Sequence, residues 1–200
     1  MSPGQTFERV YLELKRQLRE GTRPPGAPLE PTAIGDELGT SFTPVRDALH
    51  RLVGEGLVEN PRHNGFAVPH PTEQALRDLY AWNGELLAMM SGHTKHGPNA
   101  DIVPQEPAGD FAGTTAALFF AIAAASGNRE HIRAITQLND RLAPYRRVER
   151  EVFLDAENEL DGLDWLTKSS QHSVLSRAIS RYHKRRAAAA PQLLAALSMY

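Results

Sequence analysis

The sequence predicts a mainly α-helical chain in two parts: three helices closed by a β-hairpin over residues 1–70, then an all-α bundle of five or six helices over residues 71–200. Three features lead there. Apolar residues recur at helical spacing through most of the chain. A stiff Pro69-His70-Pro71 joint precedes a helix-start signal at Thr72. Two short apolar runs, Leu57-Val58 and Gly65 to Val68, flank a turn made of Pro61, Arg62, His63 and Asn64.

The first helix is read over Phe7 to Glu20, where Phe7, Val10, Tyr11, Leu14 and Leu18 form one apolar stripe and Gly21 follows as a stop. Arg23-Pro24-Pro25-Gly26 cannot continue it. A brief second helix carries Ile34 and Leu38 and stops at Gly39. Thr43 is placed to cap a third helix with Pro44 at its first position. There Val45, Ala48, Leu49, Leu52 and Val53 build a buried face, and Arg46, Asp47, His50 and Arg51 are left nearer solvent. Gly54 and Gly56 end this helix, and the two apolar runs after it read as a wing. Helix, helix, helix and hairpin in that order make a winged helix-turn-helix.

Beyond the joint, one stripe runs through Leu76, Leu79, Tyr80, Leu86, Leu87 and Met90, and another through Leu118, Phe119, Ile122 and Ala125. Ser126-Gly127-Asn128 breaks the chain, and Asn128 can cap the next helix, whose stripe is Ile132, Ile135, Leu138 and Leu142. Later stripes hold Leu163 and Leu166, then Val174, Leu175, Ala178 and Ile179. Gly97 to Asp110, rich in proline and glycine, reads as a long loop.

Composition narrows the function classes. The absence of cysteine excludes a disulfide scaffold and any thiolate metal site, and suits a reducing compartment. A short polar start and the lack of a long apolar run lead to the expectation of a cytoplasmic protein with no membrane segment. The net charge is −2, and residues 1–70 hold eight Lys and Arg against nine Asp and Glu. No broad basic field draws nucleic acid, so a DNA reading has to rest on local chemistry.

That chemistry resembles the GntR family of bacterial transcription regulators, in its FadR-like or VanR-like (FCD) subgroup with a degenerate, shortened effector domain. The resemblance is carried by the run from Leu38-Gly39-Thr40-Ser41 through Phe42-Thr43-Pro44-Val45 to Arg46-Asp47-Ala48-Leu49. Leu52, Glu55-Gly56-Leu57-Val58, and Asn64-Gly65-Phe66 with Val68 extend it. In the second half it rests on Leu79-Tyr80, Ala125-Ser126-Gly127-Asn128, and Gln171-His172 ahead of Val174, Leu175 and Ile179.

The resemblance implies a DNA-binding domain over 1–70, an effector and dimerisation domain over 71–200, and a homodimeric repressor on a double-stranded operator. It implies that Ser41, Thr43 and Arg46 touch DNA, with His50 and Arg51 on the same helix and the wing residues Arg62, His63, Asn64 and Gly65 reaching an adjacent groove. Hydroxyls and N–H groups at a helix start suit phosphate oxygens, and an arginine one turn in can reach a guanine edge. Two positions depart from the family: Phe42 and Thr32 stand where arginine is common. Phe42 is read either as a partly buried core aromatic or as a contact to a thymine methyl.

For the second domain the resemblance implies a small-molecule effector, with Tyr80, Asn83, Phe119 and His172 as its contacts. The family's metal ligands, one Asp and three His, are largely missing. Thr115 and Phe119 occupy the first two places, His172 fits one histidine, and the region of Leu194 is aliphatic. One imidazole does not make a metal centre, so no metal or cofactor is expected. Asn83 stands where an arginine often meets an effector carboxylate, which disfavours an acidic effector. Tyr80, Trp82, Met89, Met90, Phe119 and Phe120 read as core rather than pocket.

No nucleophile with its base, and no pair of environmentally split carboxylates, points to an enzyme. The acidic run from Glu149 through Glu151, Asp155, Glu157 and Glu159 to Asp161 reads as a solvated face. The competing reading is a regulator-derived interaction module that has lost its DNA contacts.

Overall fold

The computed structural model describes residues 3–61, 65–92, 109–169 and 171–199. The chain divides into two compact units, Met1–His70 and Pro71–Met199.

The first unit contains α1 (Pro3–Glu20), α2 (Pro31–Glu37) and α3 (Phe42–Gly54). The stripe on α1 packs against Val45, Ala48, Leu49 and Leu52 of α3, and these residues, with Leu29, Ile34, Leu57, Val58, Phe66 and Val68, are the buried core. Each fully buried Leu or Val there contributes roughly 1.5–3 kcal/mol relative to exposure. At the end of α1, Gly21 takes φ +70°, a left-handed conformation that lets the Thr22 N–H return to the Gln17 carbonyl at 3.2 Å. The structure starts α3 two residues earlier than expected: Ser41 is the N-cap, and Thr43 and Pro44 lie within the first turn.

The wing differs from the expected hairpin. Among the described residues no strand forms; the backbone makes isolated antiparallel bridges between Glu59 and Ala67 and between Pro28 and Ala67. The Glu59 and Ala67 amides exchange hydrogen bonds of 2.9 Å, and the Leu29 N–H donates to Phe66 at 2.8 Å. The physical reason lies in both flanks. Leu57 and Val58 drop straight into the core after the Gly56 turn, with the Leu57 N–H on the Leu52 carbonyl at 3.0 Å. Pro28 and Pro61 supply no N–H, so the ladder stays short.

The second unit contains seven helical segments among the described residues, not five or six: α4 (Glu73–Ser91), α5 (Phe111–Ala125), α6 (Arg129–Arg147), α7 (Glu149–Val152), α8 (Ala156–Lys168), α9 (His172–Ala188) and α10 (Ala190–Leu197). The extra segments arise from breaks at Val148 and Ala189. The second break falls where Pro191, in the first turn of α10, has no N–H to continue the ladder of α9 and its ring would clash with the preceding turn. Caps form where expected: Thr72 accepts from Ala75 N–H at 3.2 Å, and Asn128 from Glu130 N–H at 2.9 Å. Asp110 caps α5 by accepting from Gly113 N–H at 2.7 Å; the preceding part of the expected loop, up to residue 108, lies outside the described residues.

Helix α4 packs along α9, and α5 along α6. The two helices α4 and α9 come close together at Gly84, where a Cβ would stand 2.7 Å from His183 Cβ, so only glycine fits there. Tyr80, Met90 and Phe119 are core as expected, but Trp82 and Met89 are about half exposed.

Candidate nucleic-acid interface and a buried polar cluster

In the first unit, the start of α3 gathers the expected DNA-contact residues on an exposed edge. Ser41, Thr43, Arg46 and His50 are all solvent-facing. Ser41 has extended backbone, and its hydroxyl makes no capping bond, so its Oγ is available to an outside acceptor or donor. Arg46 has neither an ion pair nor a hydrogen bond among the described residues. His50 stands edge-on to Phe66 of the wing, ring centroids 5.0 Å apart.

Arg51 is placed differently. Its guanidinium lies over the Tyr11 ring, 3.7 Å from the centroid, and pairs with Glu55 at 3.3 Å and Glu8 at 3.5 Å. That cluster ties α3 to α1, and it takes Arg51 out of the set of unpaired cations at the interface. Arg62, His63 and Asn64 lie outside the described residues. Gly65 follows with φ +88° and open space where a Cβ would sit, a conformation that favours glycine. Thr32 is exposed in the first turn of α2, and Phe42 is 47% exposed rather than part of the core.

In the second unit, three of the four expected effector contacts meet in the interior. Tyr80, Asn83 and Phe119 are fully buried, and Thr115 is buried beside Phe119 on α5. His172 is not with them: it is exposed at the first turn of α9, ten residues before Tyr182, or about 15 Å along the helix axis. Its place near the cluster is taken by His183, whose ring packs on both Phe119 and Tyr182.

The Asn83 amide meets His183 Nε2 at 2.7 Å, and the Ile179 carbonyl accepts at His183 Nδ1, 2.8 Å away. Burial pushes the His183 pKa down to about 3, so the ring is neutral and carries one N–H. With Nδ1–H donating to Ile179, Nε2 becomes an acceptor. The Asn83 amide turned to offer Nδ2 satisfies it and gives that otherwise unpartnered nitrogen its acceptor.

Beside this pair lies a charged core that sequence reading missed. Glu149, read as part of a solvated acidic face, is fully buried. Its carboxylate accepts from Tyr80 Oη at 2.9 Å, Tyr182 Oη at 3.0 Å and Arg186 Nε at 3.0 Å. Burial raises both tyrosine pKa values, so each hydroxyl stays a donor. Arg186 also reaches Glu159 and lies over the Tyr182 ring, 3.4 Å from its centroid. Asp155 is bound by Arg185 at 2.6 Å.

Arg146, equally buried, donates Nη1 to Asn139 at 2.8 Å and faces the Phe119 ring at 5.0 Å. Its Nε and Nη2 have no partner. A signal for these residues was present. Arg146 continues the stripe Ile135, Leu138, Leu142, and Arg186 continues Leu175, Ile179, Tyr182, so each cation sits where the helix period demands burial. Among the described residues no three His, Asp or Glu side chains converge as metal ligands.

Two short helices joined by a tight turn, packed on α1 and followed by the bridged segment, define a helix-turn-helix domain. Residues 6–68 match the family of bacterial regulatory proteins, gntR family. The chain is 36% identical over 80 residues to the HTH-type transcriptional regulator McbR of Escherichia coli K12, an alignment of 40% of this chain and 36% of that one. It is 28% identical over 78 residues to the HTH-type transcriptional regulator YdhC of Bacillus subtilis, covering 39% and 35%. The chain thus spans about a third of the length of the curated relatives it matches.

By structure it resembles E. coli McbR/YncC over 96% of this chain and 98% of that one, with TM-score 0.68 and 21% identity. It also resembles a GntR transcriptional regulator from Rhodococcus sp. RHA1, over 94% and 97%, with TM-score 0.73 and 16% identity. At these identities the likeness speaks for the fold, and it extends through both units.

Proposed function

We propose that the protein is a sequence-specific DNA-binding transcription regulator of the GntR type, acting as a homodimer whose second, FCD-like unit takes a small-molecule effector. The observation that carries the DNA reading is the start of α3 in a GntR-family domain. There Ser41, with its hydroxyl uncommitted, stands beside exposed Thr43 and an unpaired Arg46. The hydroxyls and the helix start suit phosphate, and Arg46 suits a guanine edge. His50 and Gly65 extend the contact toward the wing. The dimer reading is supported by a general argument: one recognition helix reads few base pairs, and a two-fold pair reads half-sites one helical turn apart. The work of such a protein is binding, not catalysis, and none of the described helices is long and apolar enough to cross a membrane.

The test is fluorescence anisotropy on the DNA upstream of its own gene, at two salt concentrations, against a scrambled duplex. Specific binding that weakens with salt is expected. Arg46→Ala is expected to cost about 1–3 kcal/mol in that binding while leaving fold and dimer intact. No preference over scrambled DNA would instead favour the regulator-derived interaction module.

The effector reading is supported by Arg146. Arg146 is a buried guanidinium with two unpartnered donors, and the Glu149 carboxylate near it is bonded by Tyr80, Tyr182 and Arg186 instead, so a small anion would give those donors acceptors. This supplies from α6 the cation that Asn83 does not, and it favours a small anionic ligand. Thermal unfolding with a panel of small carboxylates, phosphate and sulfate is expected to rise by several degrees for a ligand at ~100 Kd. Arg146→Met is expected to abolish that response. A wild-type protein indifferent to every anion overturns the reading.

A further inference from the structure

We propose that Phe42 is a specificity-determining residue that packs on the C5-methyl group of a thymine in the major groove, beside the base pair read by Arg46. The inference rests on the DNA-binding reading above. It starts from exposure: Phe42 is 47% exposed in the first turn of α3, and its ring meets no other ring among the described residues. The other exposed side chains of α3, Thr43, Arg46, Asp47, His50 and Arg51, are polar or charged. The core beneath is complete without it, filled by Val45, Ala48, Leu49 and Leu52.

Position then selects the contact. Phe42 and Arg46 are four residues apart, so they share one face of the helix, one above the other. If Arg46 reaches a guanine edge, Phe42 lies one turn nearer the helix start and meets a neighbouring base pair. A phenyl ring neither donates nor accepts at a base edge. The one apolar group that a standard base pair presents in the major groove is the thymine methyl, and an apolar side chain recognises it by contact. Ser41 and Thr43 on either side carry hydroxyls suited to phosphate, which leaves the ring to face the bases.

The experiment first selects bound duplexes from a random library with the full-length protein. Each thymine of the winning site is then replaced singly by deoxyuridine, which lacks only the methyl. The expected result is one thymine in each half-site whose replacement weakens wild-type binding about fourfold, the worth of one buried methyl. Phe42→Ala, a surface change that leaves the core intact, is expected to bind the thymine and deoxyuridine duplexes equally. Phe42→Arg is expected to shift the selected base there toward guanine. Specific binding with no deoxyuridine effect at any thymine, or an effect that survives in Phe42→Ala, overturns this proposal and leaves the DNA-binding reading standing. Failure to select any duplex overturns both.

Discussion

Replacing Glu149 with alanine is expected to lower the unfolding free energy of the helical unit by about 3–5 kcal/mol, because it strands a buried Arg186 and two buried tyrosine hydroxyls. The carboxylate is fully buried and accepts three bonds from α4 and α9. Removing it leaves the Tyr80 and Tyr182 donors without acceptors and a guanidinium with only Glu159 to balance it. Both tryptophans, Trp82 and Trp165, belong to this unit, so their fluorescence during urea unfolding follows it separately from the N-terminal unit. The paired variant Glu149→Leu/Arg186→Met is expected to lose less than Glu149→Ala alone, since it removes both charges together. A loss below about 1 kcal/mol for Glu149→Ala would mean that water or relaxation replaces the carboxylate, and that the cluster does not tie α4 to α9.

The second large effect is acid sensitivity of the same unit. His183 is held neutral by burial, with its folded pKa at about 3 against an ordinary 6.5. Between those values the unfolded chain binds the proton and the folded chain does not. Stability is therefore full above about pH 6.5 and falls as pH drops toward 3, with a contribution approaching ~1.4 kcal/mol per pH unit. His183→Gln removes that contribution and leaves the carboxylates common to both proteins. The difference in pH slope between the two, measured by urea unfolding from pH 7 to 4, isolates the histidine. Equal slopes would show that His183 is charged in the folded state or open to water. Gly84 is the backbone counterpart: it lets His183 lie against α4, and the ring's burial follows from that close approach.

Most of the secondary structure was legible in the sequence because local physics decided it. The stripe on α1 and the buried face of α3 follow from helical periodicity. The caps at Thr72 and Asn128 follow from side chains that satisfy the open N–H groups of a helix start. The exposed set Ser41, Thr43 and Arg46 at the start of α3, proposed above to meet DNA, was legible through the motif around it. The hairpin was not, because two apolar runs with a turn between them look like paired strands even when the core claims Leu57 and Val58 and prolines stop the ladder. Arg51 was read as a surface cation because its partners on α1 are some forty residues away in sequence.

By itself, then, the sequence determined the helical class of the fold, the seam near Pro71 and which face of α3 is left exposed. All three rest on interactions within a turn or two of the chain. The tertiary structure alone decided which polar groups are interior. Glu149 looked like one acid in a solvated run, and only the convergence of α4, α7 and α9 makes it the acceptor at the centre of a buried network. Arg146 and His183 likewise acquire their roles from neighbours on other helices. The physical reason is that burial and charge pairing depend on what lies across a contact, and that information is spread over residues far apart in the chain.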